Sequence, residues 1–499
     1  MSFISKKIKI TYSFDTQFEK ASVNLLKKLS KYGKTYFVGG YPRDILIEQI
    51  LQEKYTKKDI DLCINLSADE LKESLKLLNL NFKVLNDALG VYLVSYNDFN
   101  FEVACLRKDI DIGNGRKPKK IVFTKSIKVD SRRRDFTINA LYFDPVNMII
   151  YDFYNAQQDI KTRTLRFIGN PSKRIQEDYI RILRFIKFKN KYNFNYINKQ
   201  YELLKKYVNK ISSINQDKVR EELEDIFCLD YINKNLEELR KLRILDNVLP
   251  EIKKLEELKV KNIDIFKEII SEESFLESKV LFYILSKYLN IDFGNKYNED
   301  NIKQYILDTF GVNIIWCIMF HDLGKPLCNY DIDVNFEKHG QQSLSIVNDI
   351  MKRMVFSKKA KEEISYIILN HEEIKSLDKM SLEEQRRFVL NKYFLETLII
   401  YIAEIFKLDD NNIVKEDLIA YKMQPVLGVI SSYININTEF DKIFSFLDDN
   451  MLDRFNIDKG SSYYLKISDE IRELFVENKL KTKAGLIKFL ERKTGIVYK

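Results

Sequence analysis

The 499-residue sequence predicts an α+β fold, in which a small mixed β-sheet head precedes a long, entirely helical neck, body and further helical region. Three observations carry this. Fifteen glycines and seven prolines are well below the usual share of a globular chain, which favours helix. Seven of the glycines fall within the first 169 residues, and none lies between Asn170 and Phe293. Short β-rich runs are confined to the first third, whereas from Gln176 onward apolar residues recur at helical spacing, as in Ile180, Leu183 and Ile186 or Val219, Leu223 and Ile226.

In chain order, Thr35–Val38 reads as a strand ending at the Gly39-Gly40 pair. Residues Asp59–Ile64 alternate, with Ile60, Leu62 and Ile64 on one strand face and Asp59, Asp61 and Cys63 on the other. Val91–Tyr96 and Phe99–Cys105 form a hairpin around Asn97-Asp98, and Leu141–Asp144 with Met148–Phe153 form another around Pro145 to Asn147. The predicted segments are a head at residues 1–155, a neck at 156–225, a body at 226–305, a further helical domain at 306–430 and a helical tail at 431–499. There are no repeats and no low-complexity linker.

Composition narrows the function classes. Apolar residues are 45% and charged residues 31%, ordinary for a folded soluble chain. The longest apolar runs, Ile314–Phe320 and Leu398–Ala403, fall far short of the ~20 residues that span a bilayer. Met1–Tyr12 has lysines but no apolar stretch of a secretory signal, so the sequence predicts a cytoplasmic protein without a membrane role. Cys63, Cys105, Cys228, Cys317 and Cys328 are odd in number and widely spaced, which reads as small buried hydrophobes rather than disulfides or a zinc site. The net charge of +9 is concentrated. Arg116–Arg134 holds nine basic residues and one acid, and Lys161–Lys191 ten basic residues and two acids, a pattern suited to a polyanion or to a solvated face.

The head carries a chemical constellation. Gly39-Gly40-Tyr-Pro-Arg43-Asp44 follows a strand and opens a helix, where paired glycines let a phosphate approach the backbone and a helix N-terminus offers free N–H groups. Asp59 and Asp61 repel each other unless a divalent cation lies between them, and two Mg²⁺ ions held this way activate a hydroxyl and stabilise a leaving pyrophosphate. Glu102 is the one acid among Phe101, Val103 and Ala104 and is the candidate third carboxylate. Arg132 to Ala140 packs three arginines against Asp135 and Asn139. Glu177 to Arg184 is predicted to start a helix with Asp178, Arg181 and Arg184 on one face.

In order and spacing these segments resemble the class II nucleotidyltransferases, which comprise the bacterial and eukaryotic tRNA CCA-adding enzymes and the related bacterial poly(A) polymerases. The matching segments are Gly39-Gly-x-x-Arg-Asp44, Asp59-x-Asp61, Glu102-Val-Ala, Gly115-Arg-Lys-Pro118, Arg133-Arg-Asp-Phe-Thr-Ile-Asn-Ala140, Arg163 to Pro171 and Glu177-Asp-x-x-Arg-x-x-Arg184. Asp217 to Leu223 and Leu249 to Ile252 look like the family's later helical segments, so the resemblance covers roughly residues 33–255. It implies Mg²⁺ ligation by Asp59 and Asp61, with Glu102 as a third catalytic carboxylate. It places Gly39, Gly40, Arg43, Asp44 and Arg134 at the nucleotide, with Asp135 and Asn139 near its sugar. Asp178 and Arg181 would read the base, supported by Arg184. Lys187, Asn114 and Ala156 depart from the family's usual Arg, Asp and Gly.

All three histidines, His321, His339 and His371, fall within 51 residues. His321-Asp322-Leu-Gly-Lys325 resembles the paired signature of the HD phosphohydrolase superfamily, which some CCA-adding enzymes carry as an appended domain. No His precedes the pair, and neither Glu404 nor Asp409 fits the expected late Asp. This favours a retained scaffold with a weakened or empty site and leaves a second metal there in doubt. Phe455–Leu490 looks like the C-terminal region of such enzymes, where the tail would contact tRNA.

The reading implied by these resemblances is a magnesium-dependent transferase adding CMP and AMP from CTP and ATP to the acceptor end of tRNA. It leaves the oligomeric state open. The alternatives are a poly(A) polymerase, a partial enzyme adding only CC or only A, an HD-type phosphohydrolase, and an RNA-binding protein with an inactive head.

Overall fold

A computed structural model describes residues 6–55, 59–112, 118–257, 269, 271–272, 274–327, 339–406 and 416–498. Gly115 to Lys117, Asn114, Cys328 and Asp409 lie outside the described residues. The chain divides into two compact units. The first comprises Met1–Leu229 and Glu237–Val248, and the second Asp230–Leu236 and Leu249–Lys499.

The first unit begins with β1 (Lys6–Lys9), α1 (Gln17–Leu29), β2 (Thr35–Val38), α2 (Gly40–Leu51), β3 (Asp61–Ile64) and α3 (Ala68–Leu77). Then come β4 (Asn81–Asn86), β5 (Val91–Tyr96), β6 (Phe99–Cys105), β7 (Arg107–Ile112), β8 (Pro118–Phe123), α4 (Ile127–Ser131), β9 (Tyr142–Asp144) and β10 (Ile149–Asp152). An eight-stranded mixed sheet has the order β1-β10-β9-β2-β3-β6-β5-β4, with β3 and β6 parallel and β7–β8 forming a separate hairpin. Both hairpins read from the sequence are present, β5–β6 and β9–β10. Helices α1 and α3 start at Thr16 and Ser67, each with a capping box that satisfies free N–H groups reciprocally.

β3 begins at Asp61 rather than Asp59, and its two faces are both covered. Leu62, Cys63 and Ile64 are all buried, and Cys63 packs with Val38, Leu106, Tyr142 and Phe153. The face that carries Cys63 is thus covered as well as the face that carries Leu62 and Ile64, which is why a polar/apolar alternation is absent there. Cys105 and Cys317 are buried as expected; Cys228 is exposed.

The neck segment comprises α5 (Ala156–Lys161), α6 (Pro171–Glu177), α7 (Arg181–Lys191), α8 (Asn198–Tyr207) and α9 (Gln216–Phe227). Asn170 caps α6 and Pro171 occupies its first turn, where a missing N–H costs nothing. The single helix predicted from Glu177 does not form. Asp178 is extended (φ −158°, ψ 104°) and ends α6, and α7 starts at Arg181. Asp178 therefore does not share a helix face with Arg181 and Arg184.

The second unit is helical throughout its described residues. Its core includes Asn313–Phe320, where Ile314 to Phe320 are buried and Trp316 stacks on Phe320 at 5.2 Å. Among the described residues no single helix is long and apolar enough to cross a membrane.

Candidate functional site

The register Leu62–Val103 in the parallel pair places Asp61 and Glu102 side by side, one position earlier on β3 and β6. Asp59 is exposed just before β3. Among the described residues none of these three carboxylates is held in an ion pair. Burial pushes the pKa of Asp61 up to about 6, the Glu102 and Asp59 carboxylates add to the rise, and Arg134 and Arg43 oppose it. Burial likewise raises Glu102, against Arg107 and Arg134, with Asp59 adding. Carboxylate oxygens that repel one another in this way match the donor preference of Mg²⁺.

Gly39 sits between β2 and α2 at φ 76°, ψ −115°, a conformation that side chains disfavour. A Cβ there would lie 3.6 Å from Arg134 Nη1 and 3.8 Å from Asp61 Oδ2, so the bare backbone, Arg134 and Asp61 face one point. Arg134 is held from behind. Its Nε donates to Tyr142 Oη at 3.2 Å and its Nη1 to the Asn139 carbonyl at 3.4 Å. Tyr142 in turn donates to buried Asp130 at 2.5 Å, and Asp130 also accepts Arg133 Nε at 2.9 Å and the Arg107 N–H at 2.9 Å.

The other predicted head residues form one continuous chain. Arg43 donates to Asp44 through Nε (2.8 Å) and Nη2 (3.2 Å), and to Asn139 Oδ1 at 2.7 Å. Asn139 donates to Asp135 Oδ1 at 3.1 Å, and Arg184 donates to Asp135 Oδ2 at 2.8 Å and to Glu222 at 3.2 Å. Tyr192 donates to Asp44 at 2.8 Å, and its ring lies 4.7 Å from the Arg43 guanidinium. Burial works against a charged Asp135, but Arg184 and Arg181 hold it well below the usual carboxylate range. Arg43, Asp44, Asp135 and Asn139 are all buried, so much of the set predicted to touch nucleotide ties α2 and α7 to the sheet.

The predicted base readers lie on either side of the bend between α6 and α7. Arg181 donates to Glu177 at 3.1 Å, to the Arg174 carbonyl at 2.6 Å and to the Arg133 carbonyl at 3.0 Å. Asp178 instead accepts the Ile180 N–H at 3.2 Å. Arg174 donates to the carbonyls of Arg133 (2.7 Å) and Arg134 (2.8 Å), fixing the backbone that carries Arg134. Sequence reasoning missed Asp130 and Arg174. For Asp130 a signal existed, the i,i+3 and i,i+4 spacing to Arg133 and Arg134.

In the second unit the histidines do converge. His339 Nε2 lies 2.8 Å from Asp322 Oδ1 and 2.8 Å from His371 Nε2, and His321 Nε2 lies 3.3 Å from Asp322 Oδ2. Ligand atoms of His321, Asp322 and His371, and of His339, His371 and Glu372, fall within 4.8 Å of one another, so either trio could hold a cation. The carboxylate of buried Glu272, 3.4 Å from His321 Nε2, stands upstream where a histidine was sought. Lys325 pairs with Asp322 and lies 3.9 Å from Glu404, which reaches the rim of the cluster. Burial opposes both charges, but Asp322 and Glu272 push His321 up to about 9, and His321 and Lys325 hold Asp322 well below the carboxylate range. Burial and the neighbouring His321 lower His371 to about 3.

Residues 35–166 match the family described as "Poly A polymerase head domain", and residues 197–255 match "Probable RNA and SrmB- binding site of polymerase A". The chain is 28% identical over 239 residues to the CCA-adding enzyme of Staphylococcus epidermidis, covering 48% of this chain and 57% of that one. It is 26% identical over 329 residues to the CCA-adding enzyme of Staphylococcus aureus, covering 66% and 76%. The chain thus spans little more than half of the former relative's length. The Bacillus stearothermophilus CCA-adding enzyme in complex with CTP shares the fold, with a TM-score of 0.53 at 15% identity over 96% of this chain and 98% of that one. A tRNA nucleotidyltransferase complexed with a primer tRNA and an incoming ATP analogue has a TM-score of 0.52 at 18% identity, over 82% and 99%.

Proposed function

We propose that this chain, whose residues 35–166 are a poly A polymerase head domain, is a tRNA nucleotidyltransferase that adds CMP and AMP to the tRNA 3′ end from CTP and ATP, releasing pyrophosphate. The observation that carries the reading is the set Asp59, Asp61 and Glu102, mutually repelling and without ion-pair partners among the described residues, beside Arg134 and the bare backbone of Gly39. Asp59 and Asp61, with Glu102 next to them, are the residues that would hold Mg²⁺, which when bound supplies charge stabilisation on reacting phosphate oxygens. Arg134 and the start of α2 bind the triphosphate, and the anchors on Asp130 and Tyr142 keep the Arg134 guanidinium aimed at it. Asp135 and Asn139 stand at the sugar.

Asp178 and Arg181 address the base from the bend between α6 and α7. Cytosine and adenine present an acceptor beside an amino donor, which an arginine donor and a carboxylate acceptor complement, while uracil and guanine reverse the pattern. In the second unit we assign the histidine cluster to scaffolding of the HD type. The five segments read from the sequence, with a tRNA-contacting tail at 431–499, belong to the same proposal.

The experiment supplies tRNA ending at the discriminator base, tRNA-C and tRNA-CC with CTP or ATP and Mg²⁺. Extension that stops at CCA supports the reading. Long A-tails identify a poly(A) polymerase, addition confined to CC or A a partial enzyme, and no CMP incorporation overturns it.

A further inference from the structure

Nine of the nineteen cations of the two basic stretches are paired with acids inside the first unit. Arg163 pairs with Glu53, Arg166 with Asp159, Arg174 and Arg181 with Glu177, Arg184 with Asp135, Lys187 with Glu222, and Lys189 with Glu238. Arg133 and Arg134 likewise share Asp130. About half of the local charge in the sequence is therefore cancelled internally, and the cations left over are the informative ones.

Three of these gather in one place together with Lys108, which precedes the first stretch. Lys108, Lys128, Arg132 and Lys173 are exposed, and among the described residues their side chains make no ion pair or hydrogen bond. All four line two adjoining cavities of about 410 Å³ and 310 Å³, which share Arg132, Lys173, Arg174 and Glu177. The acids nearby are already engaged, Glu177 by Arg174 and Arg181, and Asp109 by Arg107 at 3.4 Å. The smaller cavity is floored by Phe153, Tyr154 and Ile168. Each volume falls in the range of small-ligand sites. Unneutralised cations along a trough, with an aromatic and apolar pocket opening off it, suit a chain that alternates phosphate and base.

We propose that this trough, between β7, α4 and α6, binds the single-stranded 3′ end of an RNA. Backbone phosphates lie on Lys108, Lys128, Arg132 and Lys173, and one base packs in the pocket of Phe153, Tyr154 and Ile168. The trough begins two residues before Arg134, so an RNA end leaving it is carried toward the Asp61 carboxylate. This rests on the reading of the head as an RNA-extending enzyme, but its test is a binding measurement that does not need turnover.

A fluorescent oligoribonucleotide ending in CC is titrated with the full-length protein at several salt concentrations, read by anisotropy. Removing one cation that meets a phosphate lowers the slope of log affinity against log salt by about 0.7 for a single strand. Arg132→Ala and Lys173→Ala are each expected to lower it by about that amount, and the variant with all four cations replaced by Ala by roughly 2–3. Tyr154→Ala is expected to weaken binding about five- to a hundredfold with the slope unchanged, because it removes stacking and no charge. Lys72→Ala, which removes a lysine paired with Asp87 outside the trough and outside residues 197–255, serves as the control for net charge and leaves the slope as it was. An unchanged slope in the single and fourfold variants overturns the proposal. So does weakened CTP binding with RNA binding intact, which would make the trough a triphosphate site. If the wild type incorporates no nucleotide but the slopes fall, the function assigned to the head fails and the trough stands.

Discussion

The head and the second unit each assemble carboxylates around a buried point, and they settle the charge in opposite ways. In the head, Asp61 is pushed up to about 6 by burial and by Glu102 and Asp59, and no described cation pairs with any of the three. In the second unit, Asp322 is enclosed by His321, His339 and Lys325 and held far below its usual range despite burial. One cluster has no paired cation among the described residues, and the other pairs with Lys325. On the proposed reading, a site that admits a metal and a nucleotide keeps its repulsion, whereas a scaffold cancels it.

The contrast is broken most directly by substitution. Asp61→Ala, and separately Asp59→Ala, is expected to lower CMP and AMP incorporation at least about a thousandfold while leaving tRNA affinity near normal, since removal of transition-state charge stabilisation costs that order. Near-normal turnover of either variant in Mg²⁺ would remove these carboxylates from the chemistry. Asp322→Ala should do the converse. It leaves His321 and Lys325 buried without their anion, so a loss of about 3–5 kcal/mol in denaturant unfolding is expected, with turnover per folded molecule unchanged. A variant of unchanged stability, or a folded one with no incorporation, would contradict that assignment.

Smaller effects sharpen the picture. Asp130→Asn weakens the anchor behind Arg134, and nucleotide KM is expected to rise about tenfold, in line with hydrogen bonds to charged groups. A rise in RNA KM with nucleotide KM unchanged would deny the positioning role. In the second unit, burial and the neighbouring Glu363 raise Glu396 to about 7. A carboxyl whose folded pKa is raised contributes stability below its unfolded pKa and loses it as pH climbs through the folded value. Melting temperature should therefore fall between about pH 5 and 8 in the wild type and fall less in Glu396→Gln. Parallel curves for the two proteins would show that Glu396 does not titrate there.

Much of this was legible in the residues. The Gly39-Gly40 turn and both hairpins follow from local alternation and turn chemistry, which act over a few residues, whereas the Asp61–Glu102 neighbourhood rests on a long-range parallel pairing. What local pattern could not supply is whether a charged side chain meets its partner inside. Arg43, Arg181 and Arg184 read as ligand contacts, and in the structure they also pair with Asp44, Glu177, Asp135 and Glu222, the last two from positions 49 and 38 residues away from Arg184. The bend at Asp178 was hidden because Ile180, Leu183 and Ile186 keep helical spacing right up to it. Glu272 was missed because only a histidine was sought upstream of His321.

The most direct test of the contrast is the stabilisation given by Mg²⁺ as a function of pH. On the proposed reading Mg²⁺ binds the ionised form of Asp61, whose raised pKa makes the metal-free head less stable as pH rises through about 6. Thermal unfolding of the wild type with and without Mg²⁺ should show little stabilisation at about pH 5 and a clear one at about pH 7.5. In Asp61→Asn the metal-free protein should melt higher than the wild type at the upper pH, with the Mg²⁺ effect gone. Mg²⁺ stabilisation that persists in Asp61→Asn, or that does not grow with pH in the wild type, would contradict the account.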